Sequence, residues 1–515
     1  MLSVVLGMES FPWWNQKQKS LMKEAKSFAD QNLSRGEEIS WTREFPKDLL
    51  EEIAKKGWFG ALIPEEYGGI GTGVTGCCIV AEELSRVCSA LTGAYSVTMF
   101  GGTEQLLKFG TEEQKRKWLP RVAKGMLGAI CITEPGVGSD AASIETTARL
   151  EGDKYVINGK KRFITNAGVA DIYLVYAKTS DRPEDKAKYR HLSAFILEKG
   201  TAGFTVERIN ELAGWVGLPN GYLDFDETRV PVENRIGQEG DGWKVLVEGL
   251  NFERTLFSAG MLGPMKEALR YAVCHAERRI QFGRPTIDWE VNQFKIADMI
   301  AKFMISRLTV YYAAHLMDLN AEAVLEATLA KLYTPESYER VLTEASQVMG
   351  GDGWTKFYPV EDFLRDAKVN QIGAGTSEVM RMVVFRQGTR ALAEDLKMPV
   401  RRIHEKLNVP ISMPKPKVIP ENNEENILSV LAEDYRVNPG LYMSCEDIKT
   451  RFGNIKDEKL YELLVSLEKK GLAKLYRDGK GTIQLVKATY AGLRKAKPLK
   501  YYHWFPEWIN KKLLF

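Results

Sequence analysis

The sequence predicts an α+β fold, mainly α, in several domains, and three observations predict it. The chain has 515 residues, more than one hydrophobic core holds together. Apolar and charged residues recur at helix spacing in 1–125 and again in 243–395. Between them, 126–242 changes to short alternating apolar runs broken by turns, the pattern of a β-domain.

The first helical region carries "QKQKSLMKEAKSFADQNL", "PKDLLEEIAKKGW" and "TEEQKRKWLPRVAKG", interrupted by the loop "IPEEYGGIG". Strand signals follow in "YVINGKKRFITN", "DIYLVYAKT", "LSAFILEKG" and "GYLDFDETRVP". Long helices return with "FKIADMIAKFMISRLTVYYAAHLMDL". The proline-rich stretch "NVPISMPKPKVIPENNEEN" marks 396–423 as a linker. Beyond it, 424–515 reads as a separate small domain. Helix signals at 425–434, 444–452 and 456–470 precede two short strands around "AKLYRDGKGTIQLV", an order that resembles a winged helix.

Composition narrows the function classes. With 71 Lys and Arg against 68 Asp and Glu, the net charge of +3 excludes a chain built as a whole to bind polyanions. Six cysteines (Cys77, Cys78, Cys88, Cys131, Cys274, Cys445) show no metal spacing and suit a reducing compartment. The opening "MLSVVLGMESFPWW" is too short in its apolar run for a signal peptide, and no run is long enough to span a bilayer. A soluble cytoplasmic protein without a metal is the expectation.

Three segments carry chemistry. In "CITEPGVGSDAASIETTA", Thr133 precedes Gly136, Gly138 and Ser139, so backbone amides and hydroxyls can approach a flat ring or a pyrophosphate. "KKRFITNAG" places the aromatic Phe163 and the hydroxyl of Thr165 on one strand. "KVNQIGAGTSEVMR" makes a tight turn at Gly373, Ala374 and Gly375, with Thr376 and Ser377 able to cap the next helix. Such a turn offers N–H groups to an anion or a carbonyl oxygen, but its central side chain is only a methyl.

Together these segments resemble the acyl-CoA dehydrogenase family across about Trp14 to Asp395. "GWFGALIPEEYGGIG", "TEPGVGSD", "KRFITNAG", "RRIQFGRP", "QVMGGDGWTKFYPVEDFLRDA" and "IGAGTSEVMR" occur in that family's order and spacing. The resemblance implies an N-terminal helical domain, a central β-barrel-like domain and a C-terminal four-helix bundle. It also implies FAD, a homotetramer or homodimer, an acyl-CoA substrate and electron transfer to an electron-transfer flavoprotein. By position, Thr133, Gly138 and Ser139 resemble flavin and pyrophosphate contacts, Phe163 the aromatic packed on the flavin, and Thr165 the hydroxyl beside N5. Arg279, Phe282, Gln347 and Gly351 resemble residues that reach FAD on a neighbouring subunit, and Thr376 and Glu378 the pair beside its adenosine end.

Desaturation of a thioester needs a carboxylate for the weakly acidic α-proton, on the face opposite the flavin. Many members place a glutamate in the turn, where this chain has Ala374. A branch that includes isovaleryl-CoA and long-chain dehydrogenases carries its base on an earlier helix. Here Glu253, just before Arg254 in "LVEGLNFERTLFSAGMLGPM", resembles that base. Arg254, Asn251 and Gly375 are the expected substrate neighbours, and the Ala374 N–H the donor to the thioester oxygen. "LTGAYSVTMFGG" is expected beside the acyl chain, while "GWVGLPNGY" lacks the arginine and hydroxyl usual in its loop.

From Lys469 onward there are twelve Lys and Arg against two acids, yet "KDEKLYELLVSLEKKG" has mixed charge, which disfavours DNA. The ending "KPLKYYHWFPEWINKKLLF" suits packing on its own domain, a partner groove or a membrane surface. Two other readings stay open at this stage: an oxidase or monooxygenase on the same fold, and a flavin-bearing DNA-binding protein with a vestigial site.

Overall fold

The computed structural model describes residues 10–392, 420–437, 441–453 and 455–496. The opening apolar run through residue 9, most of the linker and the aromatic ending from 497 onward lie outside the described residues. The chain falls into two compact units, Met1–Thr389 and Arg390–Phe515.

The first unit begins with six helices: α1 (Gln16–Thr42), α2 (Lys47–Lys55), α3 (Gly73–Val87), α4 (Ser89–Thr98), α5 (Glu104–Phe109) and α6 (Glu112–Ala123). Capping boxes start two of them. Asn15 and Gln18 exchange side-chain and backbone bonds at α1, and Thr111 and Gln114 do so at α6. α3 is buried on every side beyond its first residue, as its all-round "VTGCCIVAEEL" demands. Between α4 and α5 the chain bulges through Met99–Thr103, where Gly102 takes φ 138°. A methyl on the adjacent Gly101 would meet the Ala129 backbone at 3.0 Å, so this bulge lies directly on the first strand.

The β-region comprises β1 (Gly128–Cys131), β2 (Thr147–Glu151), β3 (Lys154–Thr165), β4 (Ile172–Lys178), β5 (Leu192–Glu198), β6 (Phe204–Ile209), β7 (Asn220–Pro231) and β8 (Arg235–Ile236), with α7 (Pro183–Ala187) before β5. Its order is β6-β7-β3-β2-β4-β5-β8, with β1 also paired to β4. The barrel-like form implied by the resemblance is therefore corrected to an open, split sheet. β1 occupies β4 in parallel over four residues, so β2 meets β4 only at Thr147 and Lys178. The end strands β6 and β8 do not pair. Tyr155, Ile157, Tyr173, Val175, Phe195 and Phe225 fill a core drawn from both lobes.

Helices α8 (Gly242–Ala259), α9 (Leu262–Arg278), α10 (Glu290–Asp318), α11 (Val324–Met349), α12 (Val360–Asn370) and α13 (Ser377–Ala391) complete the unit, with a hairpin of β9 (Ile280–Gln281) and β10 (Arg284–Pro285) after α9. α8, α9 and α10 share one apolar core with the N-terminal helices, through residues such as Leu84, Leu91, Leu256, Leu269 and Val310.

The second unit holds α14 (Glu424–Val437), β11 (Met443–Ser444), α15 (Cys445–Arg451), α16 (Asp457–Lys469), β12 (Ala473–Arg477), β13 (Ile483–Ala488) and α17 (Tyr490–Lys495). Its strands form an antiparallel sheet in the order β11-β13-β12. Ile427, Leu431, Ile448, Leu464 and Val486 make its own core. Asp478 shapes the hairpin by accepting from the Lys480 and Thr482 N–H groups at 2.9 Å.

Candidate functional site

Thr133, Phe163 and Thr165 come together where β1 and β3 end. The Arg162 N–H donates to the Thr133 carbonyl at 2.8 Å. Beneath them, the fully buried Lys161 donates to Glu134 at 2.8 Å and to the Ile132 carbonyl at 3.1 Å. Glu134 also accepts from the N–H groups of Glu145 and Thr146. Phe163 sits at φ 59° with 48% of its surface open, and the Arg162 guanidinium lies 4.3 Å from its ring centroid. Asn220 holds this conformation, its Nδ2 donating to the Phe163 carbonyl at 3.0 Å and to Thr165 Oγ1 at 3.2 Å. A non-glycine residue at positive φ persists only where its surroundings enforce it. The outcome is an open aromatic face rimmed by hydroxyls, which fits a flat ring system. Around Gly138 nothing lies within 4 Å of where a side chain would start, and Ser139 is exposed, so this loop leaves room for a bulky polar group.

Glu253 stands on α8, half-buried, with Asn251 half-buried two residues before it. Among the described residues its carboxylate has neither a hydrogen bond nor an ion pair. Burial lifts its pKa to about 7, while the nearby charges of Arg254 and Lys331 pull it back. Arg254 is buried, donates to Thr328 Oγ1 at 3.4 Å and leaves its Nε without a partner. Burial pushes its pKa down, against the Glu253 charge.

The turn after α12 takes positive φ at Ala374 (55°) and Gly375 (91°). It packs on α8, since a methyl on Gly373 would meet Phe257 Cζ at 3.7 Å. Thr376 caps α13 by accepting from the Val379 N–H at 3.3 Å. Ser377 does not share that role: it is buried and its hydroxyl is unpartnered. Glu378 is exposed, its carboxyl held below the usual range by its own N–H and the Thr376 hydroxyl.

One helical turn beyond Glu253 lies a cavity of about 30 Å³, lined by Ser89, Thr92, Gly93, Ser96, Val97, Phe100, Trp215, Phe257, Gly260, Tyr338 and Asn370. α4 contributes Ser89, Thr92, Gly93, Ser96 and Val97 here, and no charged side chain joins them. Trp215 comes from the loop "GWVGLPNGY" at φ 54°, its ring tilted on Phe257 with centroids 5.8 Å apart. The Trp215 backbone N–H donates to Asp366, which also accepts from the Ser89 hydroxyl. Asp366 is fully enclosed, and burial pushes its pKa up to about 6 despite the Ser89 bond. The loop, which lacks the usual arginine and hydroxyl, is anchored by Trp215 on Asp366 and Phe257 and by Asn220 on Phe163 and Thr165.

Arg279, Phe282, Gln347 and Gly351 form a separate, exposed group. His275 and Asp352, in contact at 2.9 Å, tie the end of α9 to the turn that contains Gly351. Phe282 is 92% exposed at the tip of the β9–β10 hairpin.

Sequence reasoning passed over four participants. Lys331 is completely buried on α11 and donates to the carbonyls of Asn370 (2.8 Å) and Gly375 (3.3 Å). A lone lysine in the apolar "LAKLY" was its only signal. Glu104, buried at the start of α5, pairs with Lys108 at 2.7 Å but leaves Oε2 unpartnered. Burial raises its pKa to about 7, and Glu253 adds to that rise. Asn220 and Trp215 were hidden inside a departure from a familiar pattern.

The site thus offers an unpaired, half-buried carboxylate at Glu253, an amide turn at positive φ around Ala374 and an aromatic face at Phe163. The chain belongs to the acyl-CoA dehydrogenase family, matching its N-terminal, middle and C-terminal domains at 15–126, 129–228 and 240–389. It is 40% identical over 371 residues to an acyl-CoA dehydrogenase of Bacillus subtilis, covering 72% of this chain and 97% of that protein. Butyryl-CoA dehydrogenase from Megasphaera elsdenii superimposes with a TM-score of 0.70 at 35% identity, covering 73% and 99% of the two chains. PigA, solved as an FAD complex, superimposes with a TM-score of 0.70 at 25% identity, covering 74% of this chain and all of that one. None of these matches covers the whole of this chain, and the three family domains end at residue 389.

Proposed function

We propose that the chain is an FAD-dependent acyl-CoA dehydrogenase that forms a trans-2-enoyl thioester, with Glu253 as the α-proton base. The observation that carries this reading is the unpaired Glu253 carboxylate, lifted to about 7 by burial beside the amide turn. A base matched to neutral pH combines ionisation with basicity. FAD, when bound, supplies the acceptor for the β-hydrogen. Thr133, Phe163 and Thr165 would hold its ring, with Gly138 and Ser139 toward the pyrophosphate. The Ala374 N–H would hold the thioester oxygen, where negative charge grows as the α-proton leaves. Arg254 and Asn251 would line the same wall.

The acyl group is compact and uncharged, for the cavity past Glu253 is small and its lining neutral. The exposed Arg279, Phe282, Gln347 and Gly351 would complete the FAD site of a second copy in a homotetramer or homodimer. Phe282, Trp354 and Phe357, each more than four-fifths exposed, favour such self-association. An electron-transfer flavoprotein is the proposed acceptor. The second unit, with its three helices and small sheet, is a winged-helix-like module for partner docking rather than DNA, because acids and bases alternate along α16.

The test is an anaerobic titration with straight, branched and aromatic acyl-CoAs, following oxidised-flavin absorbance. Bleaching by a compact acyl-CoA supports the reading. Bound flavin that no thioester bleaches would exclude it.

A further inference from the structure

We infer that Lys331 is a positioning residue that clamps the carbonyl-binding turn and supplies the positive charge which keeps Glu253 ionised. The inference rests on Glu253 being the base. Burying an ammonium costs several kcal/mol unless its donors are satisfied and its charge is used. Lys331 is wholly buried, yet among the described residues no carboxylate lies within ion-pair distance of it. Its bonds go to the carbonyls of Asn370 and Gly375, the two ends of the turn that has Ala374 at its apex. Its Nζ also lies 5.2 Å from the Phe257 ring centroid, on the residue one turn from Glu253 along α8.

A neutral donor would satisfy two carbonyls with less desolvation. What a cation adds is a field at Glu253. The ionisable groups around that carboxylate are Arg254 on its own helix, Lys331 on α11, Glu104 on α5 and Tyr176 on β4. Arg254 and Lys331 favour the carboxylate, whereas burial and the Glu104 charge oppose it. Tyr176 is fully buried with an unpartnered hydroxyl, is neutral at working pH and contributes no charge. Lys331 itself is brought down to about 8 by burial, so it carries its proton where Glu253 must be without one. The same residue thereby links the geometry of the oxyanion donor to the protonation of the base.

The test uses the full-length, flavin-loaded protein and two readouts. The first is the carboxyl infrared band of Glu253 against pH, assigned by its loss in Glu253→Gln. The second is the pH profile of kcat/KM for acyl-CoA. In Lys331→Met the Glu253 midpoint should rise by about one unit, because the opposite charge that favours its carboxylate is gone. Lys331→Arg should keep the midpoint within about half a unit but lower kcat, because a planar fork cannot reproduce both carbonyl bonds. If Lys331→Met fails to fold, Lys331→Gln keeps a donor without the charge and takes its place. An unmoved midpoint in a folded, flavin-bearing neutral variant overturns the inference. If instead Glu253→Gln turns over normally, it is the assignment of Glu253 as base that fails.

Discussion

Replacing Glu253 by Gln should stabilise the protein, and by an amount that depends on pH. Burial raises this carboxyl from 4.5 to about 7. A folded state that holds a proton more tightly than the unfolded chain gains stability below the unfolded pKa and loses it as pH rises through the folded one. The sign is therefore fixed: the native protein is penalised at neutral pH, and Gln removes the penalty. A rise from 4.5 to about 7, at ~1.4 kcal/mol per unit, gives about 3.5 kcal/mol well above pH 7, falling toward zero below pH 4.5. Apparent Tm, followed by intrinsic fluorescence for both proteins between pH 5 and 7.5, reads the difference. The gap should widen steadily with pH in favour of the variant. A gap that stays constant, or favours the native protein at pH 7.5, refutes the claim that Glu253 is held unpaired against its solvation.

Other outcomes follow from the same geometry. The rate of substrate-driven flavin reduction should fall about tenfold per unit below pH 7 as Glu253 protonates, and Glu104→Gln should move that limb to lower pH by removing a like charge. Stopped-flow measurements across pH 5.5–8.5 check both. Trp215→Ala removes the ring that walls the small cavity against Phe257, so the preferred acyl-CoA should lengthen, with kcat/KM rising for longer chains and falling for compact ones. A chain ending at residue 395 should bind flavin and oxidise substrate as the whole chain does, since the residues proposed for the chemistry all precede Ser377 or lie in the first turn of α13. Loss of flavin reduction in that truncation would show that the second unit contributes to the site.

Much of this architecture was legible in sequence because its local signals agree. The three helices read at 425–434, 444–452 and 456–470 appear at Glu424–Val437, Cys445–Arg451 and Asp457–Lys469. Strand alternation in 126–242 and helix spacing in "TEEQKRKWLPRVAKG" similarly placed elements of the first unit. What stayed hidden was tertiary. β11 is two residues long and exists only through its pairing with β13, so no periodicity announces it. The open edge of the larger sheet depends on β1 docking in parallel on β4, a long-range choice that alternation does not encode. At the site, Glu253 and the Ala374 turn drew notice through the family resemblance, which links a methyl in the turn to a carboxylate on the earlier helix. Lys331 was not, because a single lysine in an apolar helix looks the same whether it snorkels to solvent or lies buried against two carbonyls. Asn220 and Trp215 act through where a loop folds back, which only coordinates reveal.

The central claim, that Glu253 takes the α-proton, is tested most directly by hydrogen exchange at Cα. Incubating the flavin-loaded protein anaerobically in deuterium oxide with a compact acyl-CoA, and reading the thioester by mass spectrometry, isolates that step from any electron acceptor. The account predicts deuterium wash-in with the native protein and none above background with Glu253→Gln. Undiminished wash-in with the variant would contradict it and assign the proton to another base.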